Sequence, residues 1–527
     1  MNSREKVLDK YSARVYKNRK DHIIEITEEP KEISANTRAI PGIMTNRGCC
    51  YAGCKGVVLA PLKDVAIIVH GPIGCSFYTW GTRRHKAKGD ANTKNFLEYC
   101  FSTDMQESDI VFGGEKKLRQ SIKEVVELFN PKSVMICSTC PVGLIGDDIH
   151  AIAAEAEELY GISVIAFSCE GYKGVSQSGG HHIANNGLIK HVIGTGDRAP
   201  TKYSINILGE YNIGGDGWEI SRILKRIGYD IVSVMTGDGS YEELKNAHVA
   251  DLNVVQCHRS INYIAEMLKI KYGTDWIKVN FIGMNSTMQS LRDMAKFFGD
   301  EELINRTEEV IADEMGSIEE DIDYYKGKLK GKTAALFVGG SRAHHYQILL
   351  KDLGVSTVLA GYEFAHRDDY EGRDALPTIK EDADSKNIES ITVKPVDNKF
   401  KVYLTPERYE ELKDQIPLND YKGMMVDMEK GSIVTDDLNH FETEELLKLL
   451  KPDIFFSGIK DKYVAQKNGV LSKQLHSYDY SGPYAGFKGA VNFARDITMG
   501  IYTPAWGYVK APWKRQPTLE GTVGGAV

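Results

Sequence analysis

Short apolar runs recur along the chain, each followed by a polar or glycine-rich turn and then by a stretch with helical periodicity. Runs of this length bounded by turn residues predict buried strands, and their alternation with helices predicts an α/β fold with mainly parallel sheets. The predicted strands are residues 65–69, 133–137, 204–208, 253–255, 334–338 and 454–456. In such sheets ligands bind outside the carboxyl ends of the strands, so the loops that follow these runs are where we expect chemistry.

One region departs from this rhythm. Residues 371–430 are rich in Asp, Glu and Lys, and predict only one strand at 400–404 and a helix near 406–415. Charged segments of this kind are usually solvated surface decorations. We therefore interpret the region as a surface insertion without chemistry of its own.

The 527 residues suffice for two or three domains at roughly 100–200 residues each. A formal net charge of -8 and a pI near 6.0 give no support for a nucleic-acid-binding protein, which would carry a basic patch. The chain has no uncharged apolar run of about 18 residues, and its N-terminus lacks the apolar core of a signal peptide. We expect a cytoplasmic protein that binds neither membrane nor nucleic acid.

Nine cysteines in a cytoplasmic protein are more often free thiols, metal ligands or catalytic groups than a disulfide framework. Cys49, Cys75 and Cys140 each lie beside glycine or proline in a predicted loop. Thiolates hold iron-sulfur clusters, and glycine lets the backbone approach the cluster closely. The alternative is that they are small buried apolar side chains, as most free cysteines are. On the residues alone both interpretations stay open.

Cys137 and Cys140 also form a CxxC pair, which is typical of a redox dithiol or of half a zinc site. A zinc site needs a second pair of ligands, and no further CxxC or close histidine pair supplies it. The residues that follow Cys140 give a thioredoxin-like role little support. Both interpretations are disfavoured.

Residues 327–333 resemble a phosphate-binding loop, but only three residues separate the two glycines where the motif needs four. The segment also precedes a predicted strand, whereas a phosphate loop follows one. We predict no nucleotide site on this chain.

Longer motifs resemble the alpha chains of nitrogenase, of the molybdenum-iron type, in unchanged order from about residue 36 to 513. The motifs are Arg47-Gly-Cys49, Gly71-Pro-Ile-Gly-Cys75, Cys140-Pro-Val-Gly-Leu-Ile-Gly-Asp-Asp148, Gly174-Val-Ser-Gln-Ser-Gly-Gly-His-His182, Tyr211-Asn-Ile-Gly-Gly-Asp216, Cys257-His-Arg-Ser260, Gly361-Tyr-Glu-Phe-Ala-His366, Ser457-Gly-Ile-Lys460 and His476-Ser-Tyr-Asp-Tyr-Ser-Gly-Pro-Tyr484.

The resemblance implies three Rossmann-like α/β domains with mainly parallel sheets and a cofactor buried between them. The first would span residues 1–199 with a C-terminal segment of about 480–527. The second would span residues 200–331 and carry Cys257, and the third residues 332–479, including the insertion at about 371–430.

The resemblance further implies that Cys49, Cys75 and Cys140 ligate the P-cluster, an eight-iron, seven-sulfur group shared with a homologous beta chain in an alpha2beta2 heterotetramer. Cys257 and His476 would bind the iron and the molybdenum of an iron-molybdenum cofactor completed by homocitrate. A soft thiolate suits iron in a sulfide cage, and an imidazole suits the other metal.

Two protein ligands are few for so large a cofactor, so neighbouring groups must hold it by charge and hydrogen bonds. The groups that the resemblance implies are Arg83, Gln177, His181, Ser260, Gly339, Gly340, Arg342, Phe364 and Lys460. Gln177 and Lys460 would contact homocitrate. His181, an imidazole that titrates near neutrality, would deliver protons, and Val57 would limit access to the reactive iron face. With Arg83 and Gln177, these two residues make up the predicted catalytic set.

The implied activity is an oxidoreductase that reduces dinitrogen to ammonia with hydrogen evolution. Its electrons would come from a transiently bound, MgATP-hydrolysing iron protein, with reduced ferredoxin or flavodoxin as the ultimate donor. Four alternatives stay open: a vanadium or iron-only nitrogenase, a cofactor-assembly scaffold, a reductase of the dark-operative protochlorophyllide type, and a non-enzymatic metal-storage or structural protein. His476, Gln177 and His181 argue against the scaffold.

Overall fold

The computed structural model describes residues 3–28, 32–35, 48–81, 85–89, 94–257, 261–363, 365–372, 387–458, 461–475, 477–478 and 481–504. The strands are β1 Ile23–Glu25, β2 Val65–His70, β3 Phe101–Ser102, β4 Ser133–Ser138, β5 Ser163–Phe167, β6 Ser204–Glu210, β7 Asp230–Thr236, β8 Leu252–Val255, β9 Asp275–Lys278, β10 Thr333–Phe337, β11 Ser356–Tyr362, β12 Ile433–Asp436, β13 Ile454–Ser457 and β14 Leu471–Gln474.

The helices up to residue 227 are α1 Ser3–Leu8, α2 Ala13–Arg19, a π-helix Ala52–Leu59, α3 Ile73–Gly81, α4 Glu107–Phe112, α5 Glu115–Phe129, α6 Cys140–Ile145, α7 Ile149–Tyr160, α8 Gln177–His191 and α9 Asp216–Ile227. The later ones are α10 Tyr241–Lys245, α11 Ile261–Tyr272, α12 Met284–Phe298, α13 Glu301–Gly316, α14 Glu319–Leu329, α15 Arg342–Asp352, α16 Arg367–Glu371, α17 Pro406–Leu412, α18 His440–Leu450, α19 Lys462–Lys467 and α20 Gly486–Tyr502.

Within the described ranges the strands form three sheets, with the orders β3-β2-β4-β5, β7-β6-β8-β9 and β1-β12-β11-β10-β13-β14. The paired strands are parallel except for β1, which is antiparallel to β12. All six strands predicted from the sequence form, as β2, β4, β6, β8, β10 and β13. The predicted α/β class with mainly parallel sheets is confirmed.

Strand β2 shows why continuous apolar runs give this fold. Successive side chains of a strand point to opposite faces of the sheet. Val65, Ile67 and Val69 join the main core, whereas Ala66 and Ile68 join a second core with side chains of helix α5. Both faces of the sheet are therefore covered, which is why the strand carries no polar alternation.

The short strand β1 joins the third sheet through its pairing with β12, although it lies far from the rest of that sheet in sequence. Residues 23–25 thus contact a sheet whose other strands lie between residues 333 and 474. The domain limits given above stay a prediction.

The interpretation of residues 371–430 as a surface decoration is wrong for the part that the structure describes, and residues 373–386 lie outside that part. The predicted helix forms as α17, but residues 400–404 form no strand. Apolar residues spaced among the charges pack into the main core, namely Leu404, Leu412, Ile416, Leu418, Tyr421, Met424 and Met428. The N–H groups of Lys401 and Asn419 donate to the carbonyl oxygens of Tyr272 and Trp276, both at 2.9 Å. The segment is part of the fold.

None of the helices in the described ranges has the length and the apolar character that crossing a membrane requires.

Candidate functional site

Two of the predicted cluster cysteines lie at the carboxyl ends of neighbouring parallel strands. Cys75 is in the first turn of α3, just after β2, and Cys140 is the first residue of α6, just after β4. The two loops touch closely: a Cβ added to Gly71 would lie 2.0 Å from Oγ1 of Thr139. The missing side chain at Gly71 therefore lets the two cysteine loops approach each other.

Cys49 comes from a different element, the turn before the π-helix. Tyr51 ties this turn to α3, because its hydroxyl donates to the carbonyl oxygen of Cys75 at 3.0 Å. A Cβ added to Gly171 would lie 3.1 Å from Sγ of Cys140 and 3.2 Å from Sγ of Cys49. The two sulfur atoms thus reach the same point, and glycine at position 171 leaves that space open.

The third thiol lies close enough to the other two to interact with their charges. Burial raises the pKa of Cys75, and the nearby thiols of Cys49 and Cys140 raise it further by charge repulsion. Cys49 is exposed and the other two are half-buried, unlike most free cysteines. The structure brings together Cys49, Cys75 and Cys140 at the surface of the chain, and we call this set the surface thiols.

Exposed apolar side chains lie on the two helices that carry Cys75 and Cys140. Phe77 and Tyr78 on α3 are 53% and 69% exposed, and Leu144 on α6 is 78% exposed. Monomeric proteins rarely expose adjoining large apolar groups unless the surface binds a partner. The surface thiols therefore lie on a face suited to protein contact.

Cys50, next to Cys49, points inward. Its sulfur fills the space between two glycines, since a Cβ at either Gly174 or Gly179 would lie 2.8 Å from Sγ of Cys50. The thiol donates to the carbonyl oxygen of Ser176 at 3.5 Å, and burial raises its pKa to about 12. Cys49, and not Cys50, faces the other surface thiols.

Helix α8 carries Gln177 and His181 against the π-helix. A Cβ at Gly53 would lie 1.9 Å from the carbonyl oxygen of Gln177, and one at Gly180 would lie 1.8 Å from that of Cys50. Glycines on both helices thus permit backbone contact. Gln177 and His181 are four residues apart and so share one face of the helix, with 5% and 2% exposure. Val57, on the π-helix, is also buried.

Cys257 lies two residues beyond the end of β8, in one of the loops that follow the strands predicted from the sequence. The adjacent strand β6 accommodates it through Gly209, whose φ of +81° favours glycine. A Cβ at Gly209 would lie 2.8 Å from that of Cys257. The half-buried thiol therefore depends on a glycine in the next strand.

Arg342 begins helix α15, directly after the loop that contains Gly339 and Gly340. Its guanidinium donates to the hydroxyl of Tyr478, which donates in turn to Oδ2 of Asp216. The direct distance from the guanidinium to that oxygen is 3.8 Å. The backbone N–H groups of residues 484 and 485 donate to the other carboxylate oxygen of Asp216 at 2.7 and 3.0 Å. A buried hydrogen-bonded network thus fixes the arginine.

Glu210, at the end of β6, has a pKa raised toward neutrality. Burial raises its pKa to about 7, the negative charge of Asp216 adds to the shift, and Arg342 opposes it. Burial likewise raises the pKa of Asp216 although Arg342 lowers it. The members of this network come from three distant segments, residues 210–216, 342 and 478–485, so the sequence alone does not predict it.

Five predicted residues lie outside the described residues, and the structure does not bear on them: Arg83, Ser260, Phe364, Lys460 and His476.

Three other cysteines, Cys54, Cys137 and Cys169, form a second group whose sulfur atoms all lie within 4.8 Å of one another. We call them the buried thiols. This group was not predicted from the sequence, because β5 is not among the predicted strands. The apolar run Ser163–Phe167 was available as a signal, and Cys169 follows it at the same sheet edge as the loop after β4.

Two of the three mainly parallel sheets carry thiols just beyond their strand ends, an arrangement suited to a protein that binds metals or metal-sulfur clusters. The sequence profile of the family described as Nitrogenase component 1 type Oxidoreductase matches residues 49–502. The chain belongs to that family. The resemblance inferred from the motifs is confirmed, and the chain is an oxidoreductase of the nitrogenase type.

Similar proteins span the whole chain. The nitrogenase molybdenum-iron protein alpha chain of Clostridium pasteurianum is 59% identical over 528 residues, which is 99% of each chain. That of Methanosarcina barkeri is 56% identical over 513 residues, covering 97% of this chain and 96% of the relative. The solved structure of nitrogenase Cp1 at pH 6.5 is 59% identical, has a TM-score of 0.94, and covers 97% of this chain and 100% of the solved one.

Proposed function

We propose that this chain is the alpha subunit of a molybdenum-dependent nitrogenase, which reduces dinitrogen to ammonia with hydrogen evolution. When bound, an iron-molybdenum cofactor with homocitrate supplies the reduction chemistry, and a P-cluster supplies electrons that an MgATP-hydrolysing iron protein delivers. The observation that carries the proposal is the convergence of Cys49, Cys75 and Cys140 on one space at the protein surface. Relatives of the same length that are named molybdenum-iron protein alpha chains support it.

The donor set fits half of an iron-sulfur cluster. Thiolates are the ligands that such clusters use, and Gly171 leaves the space beside two of them free of a side chain. Three thiols cannot enclose eight irons, so a second chain must supply the remaining ligands. The exposed side chains of Phe77, Tyr78 and Leu144 give the chain an apolar surface on which a beta chain can dock. This supports an alpha2beta2 heterotetramer.

On the cofactor side, Cys257 would hold iron and His476 the molybdenum. Arg342, held in place by the buried network, would supply a positive charge to the cofactor. Gly339 and Gly340 would offer it backbone N–H groups, because neither residue has a side chain to block the approach. The role of His476 rests on the sequence motif. The same holds for the contacts proposed for Arg83, Ser260, Phe364 and Lys460.

Gln177 and His181 share the buried face of a helix whose position is fixed by backbone contact with the π-helix. A histidine held in this way can pass a proton to a substrate at a defined place. Gln177 would contact homocitrate, and Val57 would limit the size of the substrate.

The test is ammonia formation from isotopically labelled dinitrogen. The chain is purified in complex with its beta partner and mixed with iron protein and MgATP. We expect labelled ammonia and hydrogen only when the iron protein and MgATP are both present. A complex that contains iron and molybdenum yet forms no labelled ammonia would contradict the enzymatic role.

A further inference from the structure

The buried thiols have no part in the function proposed above. Cys54 belongs to the π-helix, Cys137 to β4, and Cys169 lies two residues beyond β5. Each is 0% exposed. We propose that these three residues form a separate binding site for one thiophilic divalent cation, of the class of Zn²⁺ or Cd²⁺.

The distances match such an ion. A zinc-thiolate bond is about 2.3 Å long, so three sulfurs around one ion in a plane lie about 4 Å apart. All three sulfur atoms here lie within 4.8 Å of one another. The present separations are therefore close to those that an ion bound by all three sulfurs needs.

The backbone holds the three thiols firmly. Cys137 lies in the centre of its sheet, paired with Val69 on one side and Phe167 on the other. The N–H of Cys169 donates to Oγ of Ser138 at 3.1 Å, and its thiol donates to the carbonyl oxygen of Ser138 at 3.4 Å. Metal sites are precise when rigid elements carry the ligands, and these ligands sit on or beside two adjacent strands and a helix.

The charges favour a divalent ion. Three thiolates and one divalent cation leave a single negative charge, and a net charge inside a protein is costly unless it is paired. Lys55, next to Cys54 and 5% exposed, lies close enough to Cys137 to interact with its charge. Burial lowers the pKa of this lysine and the nearby thiolate charge opposes that shift; in its charged form the lysine would make the site neutral. A monovalent ion would leave one negative charge unbalanced.

This site differs from a zinc site built on the CxxC pair. A zinc site on Cys137 and Cys140 would need a second pair of ligands close together in the sequence, and the chain has none. The fold instead supplies Cys54 and Cys169 from two other elements, while Cys140 turns to the surface thiols. Because the site is sealed from solvent, the ion must bind while the chain folds, as is general for structural metal sites.

The experiment measures zinc and cadmium in the complete complex, purified with chelator from cells supplied with each metal in turn. Neither metal belongs to the iron-sulfur or molybdenum groups, so the result is independent of the proposed function. We expect one equivalent per chain in the wild type and in the control Cys100→Ser, whose half-buried thiol lies outside both groups. Cys137→Ser should lower the content at least tenfold while iron is unchanged.

X-ray absorption on the cadmium-loaded wild type keeps the proposal testable if Cys137→Ser does not fold. Three sulfur neighbours around one cadmium ion are expected. A wild-type complex without either metal, cadmium bound by oxygen and nitrogen, or a folded Cys137→Ser complex with full metal content would overturn the proposal.

Discussion

The two groups of cysteines lie on adjoining parts of the same elements and differ in what surrounds them. Cys49 precedes the π-helix that contains Cys54, and Cys140 follows Cys137 by three residues. The surface thiols are exposed or half-buried among apolar side chains, whereas the buried thiols are sealed inside the core. Both groups have three thiols, so the exposure of the thiols is what distinguishes them. The exposed group needs a partner chain to complete its site, whereas the buried group does not.

The largest effect is expected from a surface thiol. Cys140→Ala removes a proposed cluster ligand, and even groups around a metal's direct ligands change activity by about 10- to 100-fold when substituted. We expect dinitrogen reduction to fall by more than about 100-fold, together with a loss of iron from the complex. Ammonia production and iron content are the measurements, with Cys100→Ala as the matched control. Full iron content in Cys140→Ala would contradict the proposal that the surface thiols bind an iron-sulfur cluster.

His181→Leu should act on the chemistry and leave both thiol groups intact. General acid catalysis typically contributes about 100-fold or more, so dinitrogen reduction should fall by that factor while hydrogen evolution changes only a few-fold. Both products are measured in one assay. His191→Leu, at the exposed end of the same helix, is the control. Equal loss of both activities would show that His181 has no role in proton delivery.

Burial also controls charge in the network around Asp216. Glu210 keeps its proton up to pH of about 7 in the folded chain but only to its ordinary pKa of 4.5 when unfolded. The folded chain therefore binds more protons between these values, and the free energy of unfolding falls as pH rises through this window. Across the whole window, the free energy of unfolding falls by about 1.4 kcal/mol for each unit by which the two pKa values differ. Denaturant unfolding of Glu210→Gln at several pH values should show a flatter dependence; an unchanged slope contradicts the assignment.

The contact between the π-helix and α8 supports both thiol groups. Gly180→Ala would force the helices apart, because its Cβ would lie 1.8 Å from the carbonyl oxygen of Cys50. Overpacking of this kind destabilises by about 1–3 kcal/mol. Gly327→Ala, in α14 with open space around it, should instead stabilise by about 0.5–1 kcal/mol. Chemical denaturation of the two variants gives the sign of each change.

The smallest effect is expected for Cys49→Ala. We compare its free energy of unfolding with that of Cys169→Ala, in the chain without its partner. In the metal-free chain, Cys169→Ala leaves the carbonyl oxygen of Ser138 without its thiol donor inside the core, which costs about 1–3 kcal/mol. Cys49→Ala removes an exposed sulfur and should change the free energy of unfolding by less than about 0.5 kcal/mol. Similar losses in thermal unfolding for both variants would remove the distinction between the groups.

The sequence was sufficient for the strands with continuous apolar runs, such as β2 and β4, because burial on both faces of a parallel sheet demands such runs. It did not reveal β1, a three-residue strand whose conformation depends on pairing with β12. The core role of residues 404–428 was also missed, since apolar residues dispersed among charges show no period. Long-range packing decides both features.

For the site, the strand-end argument correctly placed Cys75, Cys140 and Cys257 just beyond β2, β4 and β8. The convergence of Cys49 with Cys75 and Cys140, by contrast, depends on the hydrogen bond from Tyr51 and the space at Gly171. The network of Arg342 could not be predicted, because its members are brought together only by the fold. The apolar run of β5 indicated where Cys169 lies, but not that Cys54 would join it and Cys137.

The most direct test of the account is the metal content of the complex with its beta chain, purified from cells supplied with both molybdenum and vanadium. The account predicts molybdenum together with abundant iron. Vanadium with iron would assign the chain to another nitrogenase, iron without either metal would favour a scaffold or a reductase, and a complex without metal would contradict the account altogether.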